Sequence, residues 1–160
     1  MSTATAFETV TRAETETEAL GAALARLLHG RGGVIALRGD LAAGKTCFVR
    51  GMARALGETG YVHSPTFTLI NEYGRDDRLF HLDLYRLGGA RELFDLGYEE
   101  IFDGPHLAAV EWAERAEELL PERRIEVALE HAGGDTRRVR IADSGILPDG
   151  WQDALRAVTP

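Results

Sequence analysis

The chain has 160 residues, 28% of them charged and 44% hydrophobic, which predicts a single globular domain spanning residues 1–160. Its formal net charge of −8 disfavours direct binding of nucleic acid, which usually requires a basic face, and favours a protein partner. The sequence contains no run of membrane-span length and no signal-peptide pattern, and its single cysteine, Cys47, excludes an intramolecular disulfide and favours a cytoplasmic location.

The first third of the chain predicts a helix, a strand and a second helix. Residues 1–13 are polar and rich in Thr and Ala, so about the first ten are expected to be loosely ordered. Leucines at helical spacing predict a helix over Glu14–His29. The apolar stretch Val34–Leu37 predicts a strand, and the spacing of apolar residues in Cys47–Leu56 predicts a helix.

The segment between this strand and helix, Gly39–Thr46, reads GDLAAGKT and matches the phosphate-loop pattern G-x-x-x-x-G-K-T. In that context, backbone N–H groups and a helix N-terminus point at an anion. Lys45 is expected to reach the outer phosphates, and the Thr46 hydroxyl can ligate Mg²⁺. A glycine turn that merely starts a helix is the alternative, and the flanking elements disfavour it. The pattern predicts a site for a nucleoside triphosphate.

The rest of the chain alternates strands and helices. The predicted strands span residues 66–73, 78–87, 107–110, 125–130 and 138–141, and the predicted helices span residues 89–102, 113–120 and 152–158. Turns at residues 74–77 and 133–135 predict two β-hairpins. Together with the phosphate loop, this order predicts an α/β domain of the P-loop NTPase type. Its sheet should be mixed but mainly parallel, with helices on both faces.

Two acids are candidates for the chemistry that a phosphate loop needs. Glu111 directly follows the apolar run 107–110, which places it at the carboxyl end of a central strand, where ligands collect in open α/β sheets. Asp83 lies in the strand over 78–87. There, alternation puts Phe80, Leu82 and Leu84 on one face, and His81, Asp83 and Tyr85 on another face that is expected to meet solvent or a cleft. A solvated strand charge is the alternative for either acid.

Three further features have both a functional and a structural interpretation. Trp112 can form a wall of the nucleotide site, contact a partner, or simply pack at a strand end. The segment Ser64-Pro65-Thr66 can sense the terminal phosphate, or can be only a turn that enters a strand. Cys47, at a helix start, can have a lowered pKa and be alkylated in a manner that ATP suppresses, or can fill a small buried site.

Five motifs in this order resemble the bacterial TsaE (YjeE) family: GDLAAGKT (39–46), SPTFTLINEY (64–73), HLDLYRL (81–87), ELFDLG (92–97) and VEWAE (110–114). The match runs from about Thr17 to Ile141. The resemblance implies ATP and ADP binding and slow Mg²⁺-dependent ATP hydrolysis, required for threonylcarbamoyladenosine synthesis on tRNA. It also implies docking to the threonylcarbamoyl transferase TsaD and its paralogous partner TsaB. On this interpretation, tRNA is contacted indirectly and no membrane is involved.

The resemblance also implies roles for individual residues. Lys45, Asp83 and Glu111 are the implied catalytic residues, Thr46 and Glu111 hold Mg²⁺, and Ser64 to Thr68 form a switch-like segment. The implied nucleotide-binding residues are Thr17, Asp40, Leu41, Ala42, Ala43, Gly44, Lys45, Thr46, Cys47, Trp112 and Arg137. The chain departs from the family at Ala42, where Gly is usual, and at Cys47, where a hydroxyl residue is usual. A positive φ at Ala42 would cost about 1 kcal/mol and weaken nucleotide affinity severalfold.

Three other functions remain open from the residues alone. A small-molecule P-loop kinase would normally add an Arg-rich lid, and no such segment is apparent. A GTPase would ordinarily carry an N-K-x-D motif, which does not occur. A nucleotide-dependent interaction module with little turnover would share the same motifs as the ATPase.

Overall fold

The computed structural model of the chain describes residues 5–65, 69–74 and 78–159. The described residues form seven strands: β1 (Thr5–Thr11), β2 (Gly33–Arg38), β3 (Ile70–Tyr73), β4 (Leu79–Asp83), β5 (Leu107–Glu111), β6 (Ile125–His131) and β7 (Arg137–Asp143). The helices are α1 (Glu14–Leu27), α2 (Lys45–Ala55), α3 (Ala90–Asp95), α4 (Tyr98–Phe102) and α5 (Trp151–Arg156), together with a 3₁₀ helix at Ala113–Leu119. None of the helices in these described ranges is long and apolar enough to cross a lipid bilayer.

The strands form one mixed sheet in the order β1-β7-β6-β2-β5-β4-β3. The four central strands, β6, β2, β5 and β4, are parallel. β3 pairs antiparallel to β4 at one edge, and β7 and β1 add two antiparallel pairings at the other. The predicted α/β fold with a parallel centre and two hairpins is therefore confirmed.

Helices cover both faces of the sheet, as the interleaved pattern predicts. Alternation along β2 sends Ile35 and Leu37 into a core that they share with α1, α2 and α5. Val34 and Ala36 enter a second core with α3, α4 and the 3₁₀ helix. Because both faces are buried, β2 reads as a continuous apolar run.

Helices α1 and α2 cross in close contact on one side of the sheet. A Cβ atom built on Gly21 would lie 2.1 Å from the Phe48 carbonyl oxygen, and one on Gly51 would lie 1.9 Å from the Glu18 carbonyl oxygen. Both distances are shorter than any tolerated contact of a Cβ atom. The two glycines therefore let the helix backbones touch, and they fix α2 and the loop in front of it against α1.

The N-terminal segment differs from the prediction. Residues 5–11, expected to be largely without regular structure, form the edge strand β1. Phe7 of β1 lies opposite Ile141 of β7 and is buried with it in the core beneath α1 and α5. One apolar anchor and pairing to a strand from the far end of the chain therefore order this polar segment.

The segment predicted as one helix over residues 89–102 is two short helices. Gly97, with φ of 72°, lies between α3 and α4 in the left-handed region, which ends α3 and redirects the chain. The helix predicted over 113–120 is a 3₁₀ helix that kinks at Ala116, where φ is −144°.

The strands predicted over 66–73 and 78–87 are both shorter in the structure. β3 begins at Ile70, after Leu69 with φ of 66°, and β4 ends at Asp83. Thr66, Phe67 and Thr68 lie outside the described residues.

Candidate functional site

A cleft of about 510 Å³ opens where β2, β4 and β5 end and α2 begins. Its volume is typical of small-molecule sites. It brings together twelve of the predicted site residues: Thr17, Leu41, Ala42, Gly44, Lys45, Thr46, Cys47, Ser64, Asp83, Glu111, Trp112 and Arg137. Asp40, the buried Ala43 and Pro65 do not line this cleft, and Thr66 lies outside the described residues.

The loop before α2 combines several backbone conformations that favour glycine. Gly39 has φ of 150°, and a Cβ atom there would lie 2.5 Å from the Leu129 carbonyl oxygen. Gly44 has φ of 105° immediately before α2, and Ala42 has φ of 63°. The first amides of α2 have no acceptor earlier in the helix, so this turn presents donors to the cleft.

Arg137 holds the outer side of the loop. Its Nε donates to the Ala43 carbonyl at 2.9 Å, and its Nη2 donates to the Ala42 carbonyl at 3.2 Å. Its Nη1 also donates to the carbonyl oxygens of Gly134 and Thr136 in the β6–β7 turn. Arg137 thus links that hairpin to the phosphate loop and adds positive charge beside it.

Lys45 is buried within the cleft, with only 4% of the residue exposed. Its Nζ donates to the Gly39 carbonyl at 2.6 Å and lies 3.7 Å from the centre of the Trp112 ring. Burial lowers the pKa of Lys45, and the nearby carboxylate of Glu111 is the largest opposing influence. An anion in the cleft would therefore stabilise the charged ammonium.

Trp112 forms one wall of the cleft rather than only a packing element. Its backbone is left-handed, with φ of 57°, which turns the chain sharply after β5. Its ring lies 4.9 Å from that of Tyr85, centre to centre, and both side chains line the cleft.

Asp83 and Glu111 end two neighbouring parallel strands in the same register, so their carboxylates converge on one edge of the sheet. Both are nearly buried, at 6% and 3% exposure. Asp83 accepts hydrogen bonds from the Ser64 hydroxyl and from the Tyr85 backbone N–H, the latter at 2.9 Å. Neither acid is a freely solvated strand charge.

Thr46 and Glu111 are spaced to share a cation. The Thr46 hydroxyl oxygen lies 3.4 and 3.3 Å from the two carboxylate oxygens of Glu111. Adjacent ligands of octahedral Mg²⁺, at bond lengths near 2.1 Å, lie about 3 Å apart. One hydroxyl and one carboxylate, with room left for phosphate oxygens and water, are the ligand types that Mg²⁺ prefers. These residues fit the ion that the sequence predicts.

His81 differs from the prediction for its strand face. The face shared by His81, Asp83 and Tyr85 was expected to meet solvent or a cleft, and Asp83 and Tyr85 do line the cleft. His81 is instead fully buried, because helices cover this side of the sheet as well. Its Nε2 lies 2.5 Å from the Glu111 Oε2.

The sequence of this chain matches a known protein family. The family model described as "Threonylcarbamoyl adenosine biosynthesis protein TsaE" matches residues 11–139. The chain belongs to the TsaE family. The resemblance that the five motifs indicate is therefore confirmed over most of the chain.

Similar TsaE proteins match over most of their own length. The tRNA threonylcarbamoyladenosine biosynthesis protein TsaE of Treponema pallidum is 39% identical over 133 residues, which cover 83% of this chain and 98% of that protein. TsaE of Bacillus subtilis is 44% identical over 115 residues, covering 71% and 72%. The crystal structure of Bacillus subtilis YdiB is 31% identical with a TM-score of 0.77, covering 99% of this chain and 97% of that one. The P-loop NTPase fold is thus shared.

For Cys47 the sequence left two interpretations open, a lowered pKa and a small buried site, and the structure favours the second. Burial raises the pKa of the Cys47 thiol to about 11, and the Glu18 carboxylate adds to this effect. Its Sγ lies 3.4 Å from the Glu14 carbonyl oxygen. The nearby Arg50 and Arg137 lower the pKa by less than burial raises it. The thiol is therefore a poor nucleophile at neutral pH.

Thr17 contributes to the TsaE cleft from the first turn of α1. It is 2% exposed, and its hydroxyl oxygen lies 2.7 Å from that of Thr11 in β1. This bond joins the start of α1 to the edge strand. The Thr17 side chain therefore anchors the cleft wall as well as lining it.

Four cleft residues were missed by sequence analysis as site residues: Glu14, Arg50, Tyr85 and Asp135. Glu14 and Arg50 come from the packed helices α1 and α2, and Asp135 comes from the β6–β7 turn. Only Tyr85 carried a usable signal, because it alternates with Asp83 along the chain. The other three reach the cleft through tertiary packing.

Proposed function

We propose that this protein binds ATP with Mg²⁺ and hydrolyses it slowly, within a single domain, as part of threonylcarbamoyladenosine synthesis on tRNA. The observation that carries the proposal is the convergence of Lys45, Thr46, Glu111 and Asp83 on one cleft. Membership of the TsaE family supports the assignment of this protein to threonylcarbamoyladenosine synthesis. The proposed place of action is the cytoplasm, where ATP and tRNA are available.

The phosphates would bind at the loop and at the start of α2. Donors at the helix N-terminus face the cleft, and Lys45 would exchange its bond to the Gly39 carbonyl for the outer phosphates. Because the ammonium is buried, its attraction for a phosphate is less screened than at a surface. Arg137 would keep the loop carbonyls turned outward, away from the anion.

Thr46 and Glu111 would hold Mg²⁺ beside the outer phosphates. The bound ion would neutralise charge on the phosphate oxygens as it develops during transfer. Glu111 is suited to this role because its side chain is a carboxylate that is nearly buried at the cleft edge and lies 2.5 Å from the His81 Nε2.

Asp83 would orient the attacking water and accept its proton. Its two bonds, from the Ser64 hydroxyl and the Tyr85 N–H, fix the carboxylate and leave other lone pairs for water. Ser64 also connects Asp83 to the segment 64–68, which we propose as the part that responds to the terminal phosphate.

The partners proposed from the family are TsaD and TsaB, with tRNA reached through them. The formal charge of −8 supports indirect contact with tRNA, since this chain offers little net attraction for phosphates. A kinase is less well supported, because the two arginines that line the cleft among the described residues, Arg50 and Arg137, already have partners. Arg50 pairs with Glu18 at 3.0 Å, and Arg137 holds the loop.

An Asp83→Asn variant tests the division of labour in the site. We expect ADP affinity to stay within about threefold of wild type, because Asp83 makes no phosphate contact in this assignment. ATP turnover, measured alone and with purified TsaD and TsaB, should fall about a hundredfold or more. Asp135→Asn is the matched control, because Asp135 lines the same cleft from the opposite turn. Unchanged turnover in Asp83→Asn, or a large loss of ADP affinity, would contradict the proposed role.

A further inference from the structure

The buried histidine of β4 presents a polar group that core packing does not explain. His81 is fully buried and pairs in register with Ala109, and its ring lies 6.2 Å from that of Tyr73, centre to centre. Among the described residues, its Nδ1 has no hydrogen-bond partner. An unpaired buried nitrogen costs free energy that a leucine in the same space would avoid.

The other ring nitrogen of His81, Nε2, makes a hydrogen bond that can offset the cost of the unpaired Nδ1. Its Nε2 lies 2.5 Å from the Glu111 Oε2, and a carboxylate can only accept, so Nε2 carries the proton and donates. His81 lies two residues before Asp83 on β4, and Asp83 pairs with Glu111, so the His81 ring and the Glu111 carboxylate lie on the same face of the sheet. A hydrogen bond to an ionised acceptor is stronger and shorter than a neutral one, and it fixes the rotation of the carboxylate.

The bond from His81 determines which side of the Glu111 carboxylate is left free to bind a ligand. His81 occupies one side of Oε2, and the Thr46 hydroxyl lies within 3.4 Å of both oxygens on the cleft side. Lys45 is also near, yet no ion pair within 4.0 Å joins it to a carboxylate in the described part of the chain. The carboxylate is thus held toward Thr46 rather than released to the ammonium.

We infer that His81 is a positioning residue for the Mg²⁺ site, holding the Glu111 carboxylate in the orientation that ligates the ion. This inference rests on the proposed function of the cleft. It assigns His81 no contact with nucleotide. Outer residues of this kind typically change metal affinity by 10- to 100-fold when removed.

Three substitutions separate this role from core packing. His81→Leu fills the space with an apolar side chain of similar size and removes the hydrogen-bond donor. His81→Gln can place an amide N–H where Nε2 lies, whereas the shorter His81→Asn places it near Nδ1, out of reach of Glu111. His106→Leu is the control, because it removes a partly exposed imidazole that packs on Phe80, away from the cleft.

The probe is Mn²⁺ in place of Mg²⁺, added to the protein together with a non-hydrolysable ATP analogue. Binding is measured as the decrease in the electron paramagnetic resonance signal of the free Mn²⁺ ion. We expect His81→Leu and His81→Asn to weaken Mn²⁺ binding at least tenfold. His81→Gln and His106→Leu should stay within about threefold of wild type. ADP affinity measured by calorimetry in EDTA should be unchanged in all four variants.

Wild-type Mn²⁺ affinity in His81→Leu, or equal affinities in the Gln and Asn variants, would overturn the inference. If His81→Leu does not fold, the Gln and Asn pair decides, since both place a polar amide in the core. A wild-type protein that binds nucleotide in EDTA but no Mn²⁺ would overturn the metal site itself. A wild-type protein that binds neither would overturn the proposed function, a different result from failure of the His81 role alone.

Discussion

Ala42 adopts a left-handed backbone conformation, with φ of 63°, inside the phosphate loop. For residues with a Cβ atom this conformation costs about 1–2 kcal/mol, whereas for glycine it carries no such cost. The positive φ considered for Ala42 from the sequence is therefore present in the structure. The loop keeps its shape because Arg137 binds the carbonyls of Ala42 and Ala43.

Ala42→Gly should raise the free energy of unfolding. Relief of the strain exceeds the 0.5–1 kcal/mol or so that glycine costs in chain entropy, so a net gain of up to about 1 kcal/mol is expected in urea unfolding. Ala19→Gly, in the helical α1, is the control and should lose about 1 kcal/mol. Equal losses in both variants would show that Ala42 is not strained.

At the residue scale, the sequence could predict those site residues whose positions depend only on the order of strands and helices along the chain. The loop is contiguous, and Glu111 directly follows an apolar run, so their positions required only the alternation of strands and helices. The contacts of Asp83 with Ser64 and of Glu111 with His81 could not be predicted, because they depend on strand register and on the path of the chain before β3. Such pairings join residues 19 and 30 positions apart.

At the scale of elements, the crossing of α1 and α2 positions the phosphate loop. Gly51 faces the Glu18 carbonyl so closely that any side chain must push the helices apart. α2 starts directly at the loop, so a shift of its axis would move Lys45 and Thr46 relative to the ends of β4 and β5. Backbone contact between these helices is a requirement of the site as well as of the core.

Gly51→Ala should destabilise the protein by about 1–3 kcal/mol, because the added methyl overpacks backbone against backbone. Urea unfolding measures the loss. Gly89→Ala is the control, since a Cβ atom at Gly89 would meet nothing within 4 Å and its φ of 169° is extended. If Gly51→Ala matches Gly89→Ala in stability, the contact is looser than described.

Element prediction failed where tertiary structure outweighs local pattern. β1 has a polar, Thr-rich sequence, and its pairing with β7, about 130 residues later, together with the burial of Phe7 makes it a strand. The break at Gly97 was missed because the apolar residues on either side continue at helical spacing. Strands buried on both faces, such as β2 and β5, were predicted well, since their runs are continuously apolar.

At the scale of the whole molecule, a network of ion pairs joins the central sheet to the 3₁₀ helix that follows Trp112. Arg38, at the end of β2, binds Glu117 and Glu126, each at 2.8 Å. Arg124 also binds both acids, at 3.0 and 2.6 Å. Burial opposes ionisation of Glu126, but the bonds from Arg38 and Arg124 outweigh it and lower its pKa.

Glu126→Gln should therefore destabilise the protein in a pH-dependent way. Because the pKa of Glu126 is lower in the folded state than in the unfolded chain, where it is near 4.5, its ionised form stabilises the fold at pH values above 4.5. That stabilisation is lost as the pH falls through the pKa of the folded state. We expect a loss of about 1–2 kcal/mol at pH 7 that shrinks in acid, as measured by urea unfolding at a series of pH values. Glu122→Gln, at an exposed position, should change stability at pH 7 by less than about 0.5 kcal/mol. A loss that is constant down to pH 3 would contradict this account.

The central claim is that the cleft binds a nucleoside triphosphate through its loop and Lys45, the chain's single lysine. Calorimetric titration with ATP and Mg²⁺ tests it most directly, using wild type, Lys45→Ala and, as a control, Arg26→Ala at the exposed end of α1. Saturable binding at one site is expected for wild type and Arg26→Ala, with binding lost in Lys45→Ala. No heat from well-folded wild-type protein, or unchanged affinity in Lys45→Ala, would contradict the account.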